Sequence, residues 1–208
     1  MTDPSKITNP DLKKSDAANQ PAIADANITP AWIGEWYIIL VGLMGAGKSN
    51  LGKRIANATS LPFKDSDREI EIAADASISE IFEKFGETYF RDGERRVIAR
   101  LLGGEQAVIA TGGGAYMDEN IRSMAREKAI SVWLRADIDL LVSRTSRRTH
   151  RPLLNTGNPR QILQNLIDLR YPIYELADVI VDVNDEPAAH TANRVLAAIR
   201  DFAEKEID

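Results

Sequence analysis

The chain alternates between two hydrophobic periods. Five short runs, "EWYIILVG" (35–42), "LPF" (61–63), "AVIAT" (107–111), "AISVWL" (129–134) and "DVIVDV" (178–183), are largely continuous apolar or β-branched residues, which predicts strands; the first reads as a strand covered on both faces. The segments between them carry the helical period. Leu51, Ile55 and Ala58 predict a helix directly after "GKS". Ser77 and Glu80 have capping-box spacing, and Ile78, Ile81, Phe82 and Phe85 form one apolar face that stops at Gly86. A second helix follows from Glu87 to Leu102 despite Gly93, which costs it roughly 1 kcal/mol relative to alanine. Asn158 and Pro159 open a later helix as cap and first residue. Strand and helix alternate without an internal repeat. The expected fold class is therefore α/β, a three-layer α/β/α sandwich around a central, mostly parallel five-stranded sheet.

Residues 1–33 fall outside this pattern. They hold four of the nine prolines and a polar mixture of Asp, Asn and Lys with Trp32 the lone aromatic, and are expected to be a disordered leader. A single domain is expected over 34–208. Hydrophobic residues at 44% suffice for its core, and the absence of cysteine excludes disulfides, thiolate metal sites and cysteine nucleophiles. No run is long enough to span a membrane, and the first 30 residues lack a secretory apolar segment, so the cytoplasm is the expected compartment. A net charge of −5 argues against a nucleic-acid partner and for small molecules. One stretch breaks the acidic balance: "SRTSRRTHR" (143–151) gathers Arg144, Arg147, Arg148 and Arg151, which suits an anion, although a charge run is also the ordinary composition of a solvated loop.

Glycine supplies the chemistry. "GLMGAGKS" (42–49) matches G-x-x-x-x-G-K-[ST] and lies where that motif must, between a buried strand and a helix. Its glycines let successive N–H groups turn toward a polyphosphate, and the following helix presents its positive end to the same charge. The backbone from Gly45 through Ala46, Gly47, Lys48 and Ser49 to Asn50 is thus a candidate ATP site. Lys48 would reach the β- and γ-phosphates, and the Ser49 hydroxyl would hold Mg2+. The dinucleotide fingerprint G-x-G-x-x-G is absent, which argues against NAD.

Other candidates are weak singly. In "DSD", Asp65 and Asp67 would point the same way if extended, a placement suited to metal or to an acceptor hydroxyl; a turn capping the next helix would use the same residues. Arg91 and Glu94 in "FRDGE" are spaced so that the carboxylate can orient the guanidinium. Arg170 precedes Pro172, which should end or kink its helix. "ATGGGAY" (110–116) places three glycines where no packing role explains them. His190 reads as a surface helix residue.

Taken in order, "GLMGAGKS", "LPFKDSDREIE", "SISEIFEKFGETYFRDGE", "VIATGGGA", "RTSRRTHRPLL" and "LRYPIYELADVIV" resemble the shikimate kinase family of P-loop small-molecule kinases over about residues 36–184. The resemblance implies a nucleoside-monophosphate-kinase-like fold, an acceptor-binding region at about 66–103 and a mobile lid at about 144–158. It implies that Asp67 contacts the acceptor's hydroxyls, that Asp65 lies near the metal, and that Arg91 and Arg170 grip the shikimate carboxylate. Gly112, Gly113 and Gly114 would approach the acceptor through their backbone, leaving room for a small polar ring. Arg151 would reach the phosphates on lid closure and Arg144 would lie against adenine, with Arg147, Arg148 and His150 left as solvated. The implied reaction is transfer of the γ-phosphoryl group of ATP to the 3-hydroxyl of shikimate with Mg2+, by a protein whose family is usually monomeric. Asn50 departs from the family's frequent threonine, and Gly93 loosens the helix bearing Arg91. Two alternatives stay open here: a related kinase acting on gluconate or a nucleoside monophosphate, and a nucleotide-binding module without catalysis.

Overall fold

In the computed structural model, which describes residues 30–146 and 158–207, the five strands all run in the same direction. β1 (Tyr37–Val41), β2 (Phe63–Asp65), β3 (Val108–Ala110), β4 (Ala129–Ala136) and β5 (Val179–Val183) lie in the order β2-β3-β1-β4-β5. Parallel neighbours need crossovers, and the crossovers are the helices. These are α1 (Lys48–Thr59), α2 (Ser66–Ala74), α3 (Ile78–Leu101), α4 (Glu119–Lys128), α5 (Ile138–Ser146), α6 (Pro159–Tyr174) and α7 (Ala188–Ile207). Helices that cover both faces explain why Ile38, Ile39, Leu40 and Val41 of β1 are wholly buried, as a continuous apolar strand requires.

Register decides where chemistry can occur. Leu40 pairs with Ala110 and with Val132, and Asp65 pairs with Ala110, so β1, β2 and β3 end side by side. The loop after β1, the start of α2 and the glycines after β3 consequently leave one edge of the sheet together. Carboxyl ends of strands in an open α/β sheet are where such folds bind ligands. Thr111 ties two of these segments: its N–H and its hydroxyl both donate to the Leu40 carbonyl, at 3.2 and 2.9 Å.

Several expectations change in detail. The apolar face of α1 is Leu51, Ile55, Ala56 and Thr59, and Ala58 faces solvent. The second strand begins at Phe63 rather than Leu61. The helix capped by Ser77 does break at Gly86, whose φ of 78° and ψ of 178° are non-helical, and resumes to Leu101. Of its apolar face only Ile81 is fully buried; Phe82 and Phe85 remain exposed and stack instead on Phe90 and Tyr89, each at 4.7 Å between centroids. Pro172 neither ends nor visibly breaks α6, which runs to Tyr174, although a proline has no N–H to donate to the carbonyl four residues earlier. The segment expected to be a leader includes a 3₁₀ turn, Ala31–Ile33, whose Ile33 is fully buried in the core; residues 1–29 lie outside the described residues.

Candidate active site

The donor side is built from one continuous stretch. Gly45 and Gly47 have φ of 90° and 98°, in the left-handed region where a side chain is strained, and they curl the chain into the first turn of α1. Gly47 caps that helix without any side-chain hydrogen bond, and the positive end of the helix faces the loop. Lys48 folds back over the loop, its Nζ donating to the carbonyls of Gly42 and Leu43 at 2.7 and 3.1 Å. Asn50 turns along the helix to accept from Arg54 at 3.1 Å, leaving only its backbone near the loop. Arg144, at the end of α5, donates to the Asn184 carbonyl at 3.1 Å, and its guanidinium lies 3.8 Å from the position a Cβ on Gly47 would take. It therefore borders the phosphate loop. Arg151, with Arg147, Arg148 and His150, lies outside the described residues.

Ser49 and Asp65 meet across the gap between α1 and β2, the hydroxyl donating to Oδ2 at 2.8 Å. Asp65 also accepts from the Asp67 N–H through Oδ1 at 3.2 Å, which caps α2. The two readings of "DSD" thus coexist: Asp65 is a helix cap and a candidate metal neighbour at once. Asp67 does not share its extended geometry, because the strand stops at Asp65 and Asp67 occupies the first turn of α2. This turn carries it toward the glycines. Ser66 between them is fully buried and accepts the Gly112 N–H at 3.0 Å.

The acceptor side is assembled from separate elements around the three glycines. A Cβ on Gly112 would stand 2.5 Å from Asp67 Oδ1 and 2.9 Å from Glu94 Oε1; one on Gly113 would stand 3.2 Å from an Arg170 nitrogen; one on Gly114 would stand 2.6 Å from both terminal nitrogens of Arg91. Side chains are excluded here because the site's own functional groups fill the space. This adds a reason for the glycines beside the expected backbone approach and room for a small polar ring. Arg91, Arg170 and Asp67 converge here, each pressed against a different glycine.

The two arginines are held differently. Arg91 donates to Glu94 at 2.7 Å and to Glu87 at 3.2 Å, and Glu94 is almost fully buried. Burial alone would lower the Arg91 pKa, but the bonds and charges of Glu94 and Glu87 hold it above its ordinary value. Arg170 makes no ion pair among the described residues; it donates to the Gly113 carbonyl at 2.8 Å. Burial, then the neighbouring Asp65 carboxylate, pushes the Asp67 carboxyl up, with Lys48 and Arg91 opposing. Burial also raises Glu94 against the pull of Arg91, and its Oε1, near Gly112, has no hydrogen-bond partner among the described residues. Sequence reasoning named Glu94 as the orienter of Arg91 but missed Ser66 and Tyr174. The signal for Tyr174 was its spacing of four from Arg170, which puts both on one face of α6. His190 is exposed near the start of α7, away from this chemistry.

A phosphate loop beside two arginines and an aspartate gathered on three glycines, on a parallel α/β sheet, defines the class as a P-loop phosphotransferase. The family model for shikimate kinase matches residues 44–200. A shikimate kinase of Paramagnetospirillum magneticum is 52% identical over 169 residues, covering 81% of this chain and 87% of its own, and one of Brucella canis is 47% identical over 174 residues, covering 84% and 87%. The solved shikimate kinase of Acinetobacter baumannii in complex with shikimate superposes with a TM-score of 0.77 at 39% identity, covering 81% of this chain and 95% of that one. The chain belongs to the shikimate kinase family. A gluconokinase of Sinorhizobium meliloti is similar at a TM-score of 0.56 and 21% identity over 83% of this chain and 96% of its own, a likeness of fold alone.

Proposed function

We propose that this chain phosphorylates the 3-hydroxyl of shikimate with ATP, giving shikimate 3-phosphate and ADP. The observation that carries the reading is the convergence of Asp67, Arg170 and Arg91 on three consecutive glycines beside the phosphate loop. Two guanidiniums select an acid, since a neutral acceptor would bring no charge to Arg170, which makes no ion pair among the described residues.

Ser49 and Asp65 offer a hydroxyl and a carboxylate 2.8 Å apart at the start of α1, hard oxygen donors that suit Mg2+, which typically takes few protein ligands and shares the phosphates. When bound, the ion draws charge from the phosphate oxygens. The residues of the chain do the rest. Backbone N–H groups of Gly45 to Asn50 cradle the phosphates, with Lys48 turned from the loop carbonyls toward them. Arg91 and Arg170 fix the acceptor by its carboxylate. Asp67 accepts the hydroxyl proton as the oxygen forms its bond to the γ-phosphorus and the bond to the bridging oxygen of ADP breaks. Its raised affinity for a proton suits that task. The catalysis is mainly positioning, with charge placed in advance.

The test is ADP release from Mg-ATP in the presence of shikimate, gluconate or a nucleoside monophosphate. Turnover with shikimate alone is expected. Turnover with only gluconate or a nucleotide would reject the acceptor assignment, and ATP binding without turnover on any acceptor would reject the reaction.

A further inference from the structure

Three consecutive glycines form the most flexible backbone a chain can contain, yet here they carry the surface against which three site residues are set. Something must hold their peptide planes. The Gly112 carbonyl accepts from the Ala115 N–H and the Gly114 carbonyl from the Met117 N–H, both at 3.1 Å, in the turns of the Ala115–Met117 3₁₀ segment. The Gly113 carbonyl, between them, accepts from Arg170 at 2.8 Å and from the Tyr174 hydroxyl. Two donors fill both lone pairs of that oxygen.

We propose that Tyr174 is a positioning residue for the acceptor site, fixing the Gly113 peptide so that Arg170 is aimed at the acceptor's carboxylate. Arg170 and Tyr174 sit one turn apart on α6 and reach the same oxygen. With the hydroxyl in place the carbonyl direction is set by a rigid group, and Arg170 bonds to a fixed point. Without it, Arg170 alone must hold a glycine peptide that is free to rotate. Tyr174 is suited to be that rigid group: it is fully buried, and its ring packs against Trp133 at 5.9 Å and Tyr116 at 6.4 Å between centroids. Burial keeps its phenol pushed up to about 12, so it remains a donor at neutral pH.

Tyr171 supplies an internal control. It lies on the same helix and also donates its hydroxyl to a backbone carbonyl, that of Ala136 at the end of β4, away from the glycines. A purely structural tyrosine hydroxyl should behave like this one.

The inference rests on the acceptor reading above, and the experiment separates the two. Initial rates of the full chain are measured over shikimate and ATP concentrations for wild type, Tyr174→Phe, Tyr171→Phe, Arg170→Ala and the double variant Tyr174→Phe/Arg170→Ala, with melting temperatures recorded in parallel. Tyr174→Phe should raise the KM for shikimate about 3- to 10-fold, the size of one buried hydrogen bond, with the KM for ATP unchanged. Tyr171→Phe should lower the melting temperature without moving either KM. On the Arg170→Ala background, Tyr174→Phe should add little, because the two act through one carbonyl. An unchanged shikimate KM in Tyr174→Phe, a Tyr171→Phe variant with the same KM rise, or full multiplication in the double variant would each overturn the proposal. Absence of shikimate turnover by the wild type would instead reject the acceptor reading itself.

Discussion

The donor loop and the acceptor pocket lie on the same edge of the sheet but are built by opposite strategies. The donor loop spans eight consecutive residues, Gly42 to Ser49, and works through backbone geometry and one helix end. The acceptor pocket draws Asp67 from α2, Arg91 and Glu94 from α3, the glycines from the loop after β3, and Arg170 and Tyr174 from α6. A contiguous site is fixed largely by local conformation. A dispersed site depends on the whole sheet register to bring its parts together, so its residues should respond separately to substitution while leaving the donor intact.

The largest test of that separation is Asp67→Asn. Turnover should fall by roughly 10²- to 10⁴-fold, the usual contribution of a positioned acid or base, while ATP affinity measured by calorimetry stays within a factor of about two. Loss of ATP affinity would show that the two halves are one site. Burial raises the folded pKa of Asp67 above its unfolded value, so its contribution to stability is present at low pH and lost as pH rises through the folded pKa. The asparagine variant should accordingly melt no lower than wild type at neutral pH. Activity in the wild type runs the other way, falling on acidification as Asp67 takes up its proton, at a pH above that of an ordinary aspartate. An acid limb that persists unchanged in the residual activity of Asp67→Asn would assign it to another group.

Arg170→Ala is next. Removing a cation that makes no ion pair among the described residues should raise the shikimate KM by roughly 10- to 100-fold, the range of hydrogen bonds to a charged group, with a smaller effect on kcat. An equal rise in the ATP KM would contradict the division. Gly114→Ala tests the same pocket from its backbone: the new methyl would meet both terminal nitrogens of Arg91 at 2.6 Å. Arg91 is tied to Glu94 and Glu87 and cannot move freely, so the expected shikimate KM rise is about 5- to 30-fold, between the loss of one hydrogen bond and two. An unchanged KM would mean that Arg91 yields without cost and is not set by the glycine.

The same contrast explains what the sequence made legible. The phosphate loop could be read from eight letters because its chemistry is its local conformation. So could the Ser77 capping box, the break at Gly86 and the Asn158 cap, each a short-range rule that the structure repeats. The acceptor residues could be gathered only by resemblance to a family, since nothing in "DSD" or "FRDGE" alone says which other segment each will face. What resemblance did not supply was the contacts that exclude a side chain at the glycines, because the atoms that a Cβ would meet come from Asp67, Arg170 and Arg91, 45 or fewer residues away in one direction and more than 50 in the other. Tyr174 went unread for a similar cause: a tyrosine four residues beyond an arginine is ordinary until both meet one carbonyl. Burial of Phe82 and Phe85 was over-read from periodicity, which marks a helix face but not whether a neighbour covers all of it.

Gly93→Ala should have the smallest effect, and it asks whether the acceptor pocket needs a loosened helix. Gly93 lies within α3 two residues after Arg91, has a helical conformation, and a Cβ added there would meet nothing within 4 Å. Unlike Gly112 and Gly114, it is not required by a close contact. Replacing it should therefore recover most of the roughly 1 kcal/mol that glycine costs a helix interior, which for a chain of this size corresponds to a rise of about 2–4 °C in melting temperature. Both KM values and kcat should hold, since Arg91 and its partner Glu94 keep their places. A stabilised variant with reduced kcat would show that motion of the helix bearing Arg91 is part of the catalytic cycle, and the pocket would then be dispersed in time as well as in sequence.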